Sequence, residues 1–238
     1  MTIPDDGAWT YQDERLSGLP PFQISRYPVT YAQFQIFIDA PDGFWDGRWW
    51  GGLAFDEDRR RNQRAPGEQA FKYANHPRQT VSWYDAVAFC RWLSFRLGGG
   101  DELDDVKAWK VRLPTEREWE KAARGTLGRI YPYGNEFDAA KGNTSETGID
   151  QMSAVGVFPE GASPYDVLDL SGNVWAWCLT EYRRPALRLE EENLRSSAAR
   201  VVRGGSWIVD RDYARAMYRF DGDPGSRYVD QGFRLARS

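Results

Sequence analysis

The chain changes character at Gly125. Before it, apolar residues recur at helical spacing; after it they do not. Ser82 begins the helix SWYDAVAFCRWLSFRLG. Its apolar residues Ala86, Phe89, Cys90, Leu93 and Leu97 recur at the intervals of one helical face, and Gly98 to Gly100 end the run. Thr115 and Glu118 form a capping box, each side chain meeting the other residue's backbone N–H, ahead of a helix with Trp119, Ala122 and Ala123 facing inward. Earlier still, Thr30 caps YAQFQIFIDA, with Ala32, Phe34, Phe37 and Ile38 on one face. Beyond Gly125 the chain breaks into short apolar pieces separated by Gly, Asn, Asp and Pro, a pattern of strands and loops. PFQISRYPV (21–29), AVGVF (154–158), VLDLSGNVWAWCL (167–179) and RVVRGGSW (200–207) read as strands, with LRLEEENLRSSAA (187–199) as a polar excursion. No repeat, low-complexity run or linker divides the chain. The expectation is one α+β domain over 21–238, two main helices followed by an irregular β half. Residues 1–20 should be an extension lying on it.

Such a domain needs a large core, and the chain has the material for one: 15% of its residues are aromatic, 11 of them Trp. The irregular stretch 41–78 is too long for an ordinary connection. Its rings Phe44, Trp45, Trp49, Trp50 and Phe55 are expected to anchor it to the core. The net charge is −4 with both signs interspersed, so no basic face for nucleic acid or a membrane surface is expected. Arg59 to Arg61, beside Asp56, Glu57 and Asp58, read as a solvated loop. Neither a leader pattern nor a membrane-spanning run is visible, which makes the cytoplasm the expected location.

Two residue types are scarce. There are 2 Cys, Cys90 and Cys178, and 1 His. A metal site built from imidazoles or thiolates needs several of them converging. A Ser/His/Asp triad would have to use His76, whose position before Pro77 reads as a hydrogen-bonded loop. Cys90 lies on an inner helical stripe and reads as a small buried hydrophobe. A Cys90–Cys178 disulfide is disfavoured in a cytoplasmic protein.

Several phrases occur together and in order: PFQISRYPVTYAQFQIFI, VSWYDAVAFCRWLS, VRLPTEREWEKAARG, YPYGNEFD, GASPYDVLDLSGNVWAWC, and RVVRGGSW followed by YR and GFRLAR. From about residue 20 to the C-terminus the chain resembles the formylglycine-generating enzyme (sulfatase-modifying factor) family. The resemblance implies a C-type lectin-like fold: two main helices and a small twisted antiparallel sheet amid much irregular structure. It also implies an oxidase chemistry, in which a pair of thiols in the last segment binds copper and converts a substrate Cys to formylglycine. Those thiols belong at the second and seventh residues after the Trp of RGGSW, which here are Val209 and Ala214. Neither can ligate Cu(I), which prefers soft thiolate donors. A related branch uses a three-histidine iron site, which a single His rules out. The family's calcium sites would fall on Asn143, the Thr144 carbonyl and Glu146, and on a GNVWEW motif that here reads GNVWAW. Ala176 replaces the carboxylate of that second site, leaving Asn173 to satisfy backbone groups in the turn.

The same fold is used by the variable proteins of diversity-generating retroelements, in which template adenines are miscopied into the 3′ end of a gene. Asn codons varied in this way never give a stop and never encode Glu, Lys, Gln, Met or Trp. In the closing segment, 203–238, fixed-looking phrases alternate with unrelated residues. The latter are Ile208, Val209, Asp210, Tyr213, Phe220, Asp221, Gly222, Asp223, Ser226, Tyr228, Val229 and Asp230, all within reach of an Asn codon; Gly225 is within reach of an Asp codon. The interleaved Arg203, Arg215, Arg219, Arg227 and Arg234 would then be the fixed frame, with Gly204, Gly205 and Gly232 easing the backbone. Read this way, the chain is a non-enzymatic ligand-binding protein and needs no cofactor. It would act as a monomer, binding a protein ligand on its variable face. Aromatic and acidic residues on that face favour a basic or amphipathic partner. The alternatives are an inactive adaptor domain with a fixed partner and a family enzyme of altered chemistry.

Overall fold

Helix α2 (Trp83–Arg96) is the spine of the molecule, and its sequence explains both its start and its burial. Ser82 accepts from the Asp85 N–H while the Asp85 carboxylate accepts from the Ser82 N–H, so the helix begins with a complete capping box. Helices α1 (Tyr31–Asp39) and α3 (Glu116–Arg124) open with the same device, from Thr30 with Gln33 and from Thr115 with Glu118. The computed structural model describes residues 1–12, 14–54, 65–100, 102–183 and 193–238. Phe55, the charge run at 56–61 and the first part of the polar excursion lie outside the described residues.

The single-face reading of α2 understates its burial. Every residue from Trp83 to Trp92 is buried, including Arg91, whose guanidinium donates to the Trp49 and Gly51 carbonyls at 2.8 Å each. Leu97, read as part of the stripe, is exposed at the helix end. On α1, Phe34 and Phe37 are buried as expected, while Ala32 is exposed.

Among the described residues, nine short strands supply the sheets. β1 (Thr2–Ile3), β4 (Phe22–Ile24) and β9 (Ala236–Arg237) form an antiparallel sheet in the order β1-β4-β9. β2 (Trp9–Tyr11) and β3 (Glu14–Leu16) pair with each other. The main sheet joins β5 (Trp175–Glu181), β6 (Arg200–Arg203), β7 (Arg219–Gly222) and β8 (Gln231–Phe233) in the order β7-β6-β5-β8. Its β5–β8 pair is parallel and the others antiparallel. β5 is buried along its whole length, as a strand covered on both faces must be. Its residues alternate between two cores. Trp175, Trp177 and Leu179 join the larger one, with Phe34, Phe37, Trp49, Trp83, Phe89 and Phe233. Ala176 and Cys178 join the smaller one, with Ile24, Trp119, Val167, Leu170 and Val201.

Four local readings change. Residues 1–20 are woven into the domain rather than laid on it, because β1 and β2 bring Ile3 and Trp9 to full burial. AVGVF is a turn, with Gly156 at φ 74°, and the strand in VLDLSGNVWAWCL begins only at Trp175. Within PFQISRYPV only Phe22–Ile24 is strand. The loop rings behave as anchors: Phe44 and Trp49 are buried and Trp50 stacks on Phe37, but Trp45 is exposed. Cys90 and Cys178 are both buried, and no disulfide joins them. No helix among the described residues is long and apolar enough to cross a membrane.

Candidate functional site: the C-terminal face

The closing segment has little regular structure, and arginines hold it. Arg203 on β6 is fully buried. It donates to the Met217, Tyr218 and Ala216 carbonyls at 3.0, 3.1 and 2.9 Å, and so fixes the chain just before β7. Its charge is met by Glu120 and Glu116 of α3. Burial alone would lower the Arg203 pKa, but the two carboxylates more than offset this and raise it. Arg219 grips Glu116 through two bonds of 2.5 and 2.8 Å, and the Tyr11 hydroxyl donates to the same carboxylate at 3.0 Å. Arg227 pairs with Asp85. Fully buried Arg234 donates to the Leu168 and Asp169 carbonyls at 3.0 and 2.7 Å; burial lowers its pKa to about 10, still far above neutrality. Of the five arginines read as a frame, only Arg215 stands at the surface, paired with Asp212 at 2.6 Å.

Of the twelve residues read as variable, eight are exposed: Ile208, Asp210, Tyr213, Phe220, Asp221, Asp223, Tyr228 and Val229. Val209, Ser226 and Asp230 are half-buried. The Val209 carbonyl accepts from Ser145 N–H at 3.0 Å, and its side chain packs on the larger core. Asp230 accepts from the Ser206 hydroxyl at 2.7 Å, and burial raises its pKa above the ordinary aspartate range. Asp223 shapes its own turn by accepting from Gly225 N–H at 2.8 Å. Gly222 does not fit the pattern. It is buried, and a Cβ there would lie 2.4 Å from Trp177 Cζ3. No side chain can vary at that position without moving the central tryptophan. Gly225 is likewise buried.

The sequence reading missed the floor of this face. Trp175, at the start of β5, stacks with Phe220 at a centroid distance of 5.8 Å and lies 6.1 Å from Tyr218; Tyr218 in turn lies 4.9 Å from Tyr213. Four rings therefore run in a ladder across β5, β7 and the loop before β7. Only the β7-β6-β5 strand order brings Trp175 to residues more than forty positions away, so local pattern carried no signal of it. Beside Tyr218, a groove of 460 Å³ is lined by Gln12, Tyr182, Met217 and Arg219, among others.

The remaining candidate groups are engaged elsewhere. Asn143 Oδ1 accepts from the Thr147 hydroxyl at 3.1 Å, and the Thr144 carbonyl accepts from the same hydroxyl at 2.8 Å. Glu146 accepts from the Thr144 hydroxyl at 2.7 Å and from Arg211 N–H at 2.9 Å, with the Arg211 guanidinium 3.6 Å away. Its pKa is lowered: burial opposes ionisation, but these bonds and the Arg211 charge outweigh it. The loop's own donors and a cationic side chain thus engage the oxygens of these candidate residues. Asn173 closes the adjoining turn, its side chain accepting from Ser153 N–H at 3.0 Å. No cluster of three or more His, Cys, Asp or Glu able to hold a metal ion occurs among the described residues. His76 is a half-buried loop residue 4.9 Å from the Tyr73 ring, with its pKa lowered by burial. Val209 and Ala214 occupy the thiol positions, and Ala214 is completely buried.

Comparison with known proteins places this geometry in a family. Residues 10–238 match the sulfatase-modifying factor enzyme 1-like domain. The chain belongs to that family. Within the sulfatase-modifying factor family it is 29% identical to the formylglycine-generating enzyme of Thermomonospora curvata, a match covering 98% of this chain and 86% of that one. It is 33% identical to the inactive C-alpha-formylglycine-generating enzyme 2 of Bos taurus, over 79% of this chain but only 58% of that protein. Among solved structures, Treponema denticola variable protein 1 superposes with a TM-score of 0.72, covering 100% of this chain and 93% of that one at 22% identity. The α+β architecture is therefore the C-type lectin-like fold of formylglycine-generating enzymes and their relatives.

Proposed function

We propose that this family member is a non-enzymatic binding protein whose closing segment is a hypervariable ligand site, diversified through a retroelement template. One observation carries the reading. Along 203–238 the residues that adenine-directed change can reach are mostly exposed, while Arg203, Arg219, Arg227 and Arg234 between them are turned inward onto the scaffold. Exposed loop side chains on a fixed frame can change at little cost to stability. The loss of chemistry points the same way, since Val209 and Ala214 stand where the family's thiols would be and both cysteines are buried. The fold shared with a protein titled a variable protein, and the relative named inactive, add support. The ligand is a protein bound on this face; a cytoplasmic location belongs to the reading, and two cysteines not joined in a disulfide are in keeping with it.

The test is to sequence the native gene and the few kilobases beyond it. A second, near-identical copy of the codons for Arg203 to Ser238, differing only at template adenines and accompanied by a reverse-transcriptase gene, is the expected result. No such copy, or differences at all four bases, would leave an inactive adaptor with a fixed partner in its place.

A further inference from the structure

The main sheet ends in an open edge. Among the described residues, β7 pairs with β6 on one side and with no strand on the other. The direction of its free backbone groups follows from the bonds across the sheet, since successive residues of a strand turn their N–H and C=O to opposite sides. Trp175 donates its N–H to the Asp230 carbonyl on the β8 side, so Ala176 turns toward β6 and bonds with Arg203. Val202 then turns toward β7 and bonds with Phe220, as Arg200 does with Gly222. The N–H and C=O of Arg219 and Asp221 are left pointing outward, and neither backbone has a partner among the described residues. The edge is accessible, with Phe220 and Asp221 exposed. It is also held at both ends, Arg219 by its two bonds to Glu116 and Gly222 by its close approach to Trp177.

We propose that an extended segment of the protein ligand docks on this edge, adding a further strand to the four-stranded main sheet through the Arg219 and Asp221 backbones. Unpaired edge groups are a template for another strand, and an edge already held in place need not be ordered on binding. Side chains of the added strand would alternate between the two faces of the sheet. On one face they meet Phe220, which stacks on Trp175. On the other they meet Arg219, which lies over the Tyr182 ring at 4.9 Å and with it lines the 460 Å³ groove. A β-branched or aromatic residue opposite Phe220 suits the first face best. A second copy of this chain is the poorer occupant. Centred on Phe220, it would set Arg219 opposite Asp221, but the Arg219 guanidinium is already bound to Glu116. Backbone bonds do not depend on side chains, so change at 220 and 221 would alter which segment is preferred while the docking mode persists. The inference deepens the proposed function and rests on this face being the binding face.

The experiment titrates the full-length ¹⁵N-labelled chain with the end-blocked heptapeptide Thr-Val-Thr-Tyr-Thr-Val-Thr, and with the same peptide N-methylated at every inner residue, which cannot form a ladder. In the free protein the Phe220 and Gly222 amides should exchange slowly with deuterium and the Arg219 and Asp221 amides quickly. The parent peptide should shift the Arg219 and Asp221 amides saturably and slow their exchange; the N-methylated peptide should do neither. D221P removes one outward N–H but no bond to β6, a place where an edge strand accepts proline. It should weaken peptide binding about tenfold, with slow exchange retained at Gly222 as the sign that the sheet is intact. The proposal is overturned if the parent peptide leaves both amides unchanged, if the N-methylated peptide binds as well, or if both amides are already protected in a dimer of the free chain. These outcomes are independent of the gene test. A template repeat without strand addition keeps the diversified face and removes the docking mode, whereas strand addition without a repeat keeps the docking mode and removes the diversification.

Discussion

Arg227 holds Asp85 with two parallel bonds, Nε to Oδ2 and Nη2 to Oδ1, each 2.8 Å long. The same carboxylate accepts from the Ser82 N–H at 2.9 Å and so closes the capping box of α2. One ion pair therefore ties the start of the central helix to the loop that carries Ser226 and Tyr228. Removing the guanidinium would leave a buried carboxylate without its counter-charge. R227A is expected to lower stability by about 3 kcal/mol, read as a lower urea midpoint at unchanged slope. R227K should recover only part of this, because an ammonium cannot reproduce the planar fork.

Gly222 divides the closing segment into what can vary and what cannot. A Cβ at this position would sit 2.4 and 2.6 Å from Trp177 Cζ3 and Cη2, and Trp177 is completely buried. G222A should cost about 2 kcal/mol through overpacking, whereas Asp221→Ser next to it should stay within about 0.5 kcal/mol. Denaturant midpoints of the two variants check the difference. If copies of the gene carry diversified segments, position 222 should remain Gly in every folded product while 220 and 221 change.

What the sequence reveals follows the range of the interactions involved. A helix cap is a matter of three or four neighbouring residues, so Thr30 as a cap and Thr115 with Glu118 as a capping box are legible from local pattern. Burial of Trp119, Ala122 and Ala123 follows from period alone. Residues 1–20 carry no such signal. β1 is two residues long and exists only because β4 pairs with it, so the burial of Ile3 depends on a distant partner. On the face itself, the arginines are legible as a frame because they recur between unlike residues. Their partners Glu116, Glu120 and Asp85 lie 83 to 142 residues away in the sequence, and nothing local marks them. The failure at Gly222 has the same origin. Codon logic admits any small residue there, but the constraint is a tryptophan on another strand.

Both thiols should be silent in the folded protein. Cys90 and Cys178 are completely buried, and burial pushes the Cys90 thiol up, away from the reactive thiolate. A thiol-specific aromatic disulfide should label neither in buffer and both in denaturant. The native chain, loaded with Cu(I) and then challenged with a chelator, should retain none. Rapid labelling of one thiol in the native protein, or retained copper, would return redox chemistry to consideration.

The acid side of the stability profile should carry the signature of Asp230. Burial holds its carboxyl above the ordinary aspartate value, against the stabilising Ser206 bond of 2.7 Å. A carboxyl whose folded pKa is raised binds its proton more tightly in the folded state. Its contribution to stability is therefore fully present below the unfolded value, about 3.9, and is lost as pH rises through the folded value. Asparagine does not ionise, and its side-chain oxygen can still accept from Ser206. D230N should thus gain on the wild type as pH rises through that window and hold a constant advantage above it, as measured by urea midpoints from about pH 3.5 to about pH 7. A D230N chain that instead loses ground with rising pH would mean that a cation of the protein already holds this carboxylate, and the face would lack the free charge from which its ligand preference was inferred.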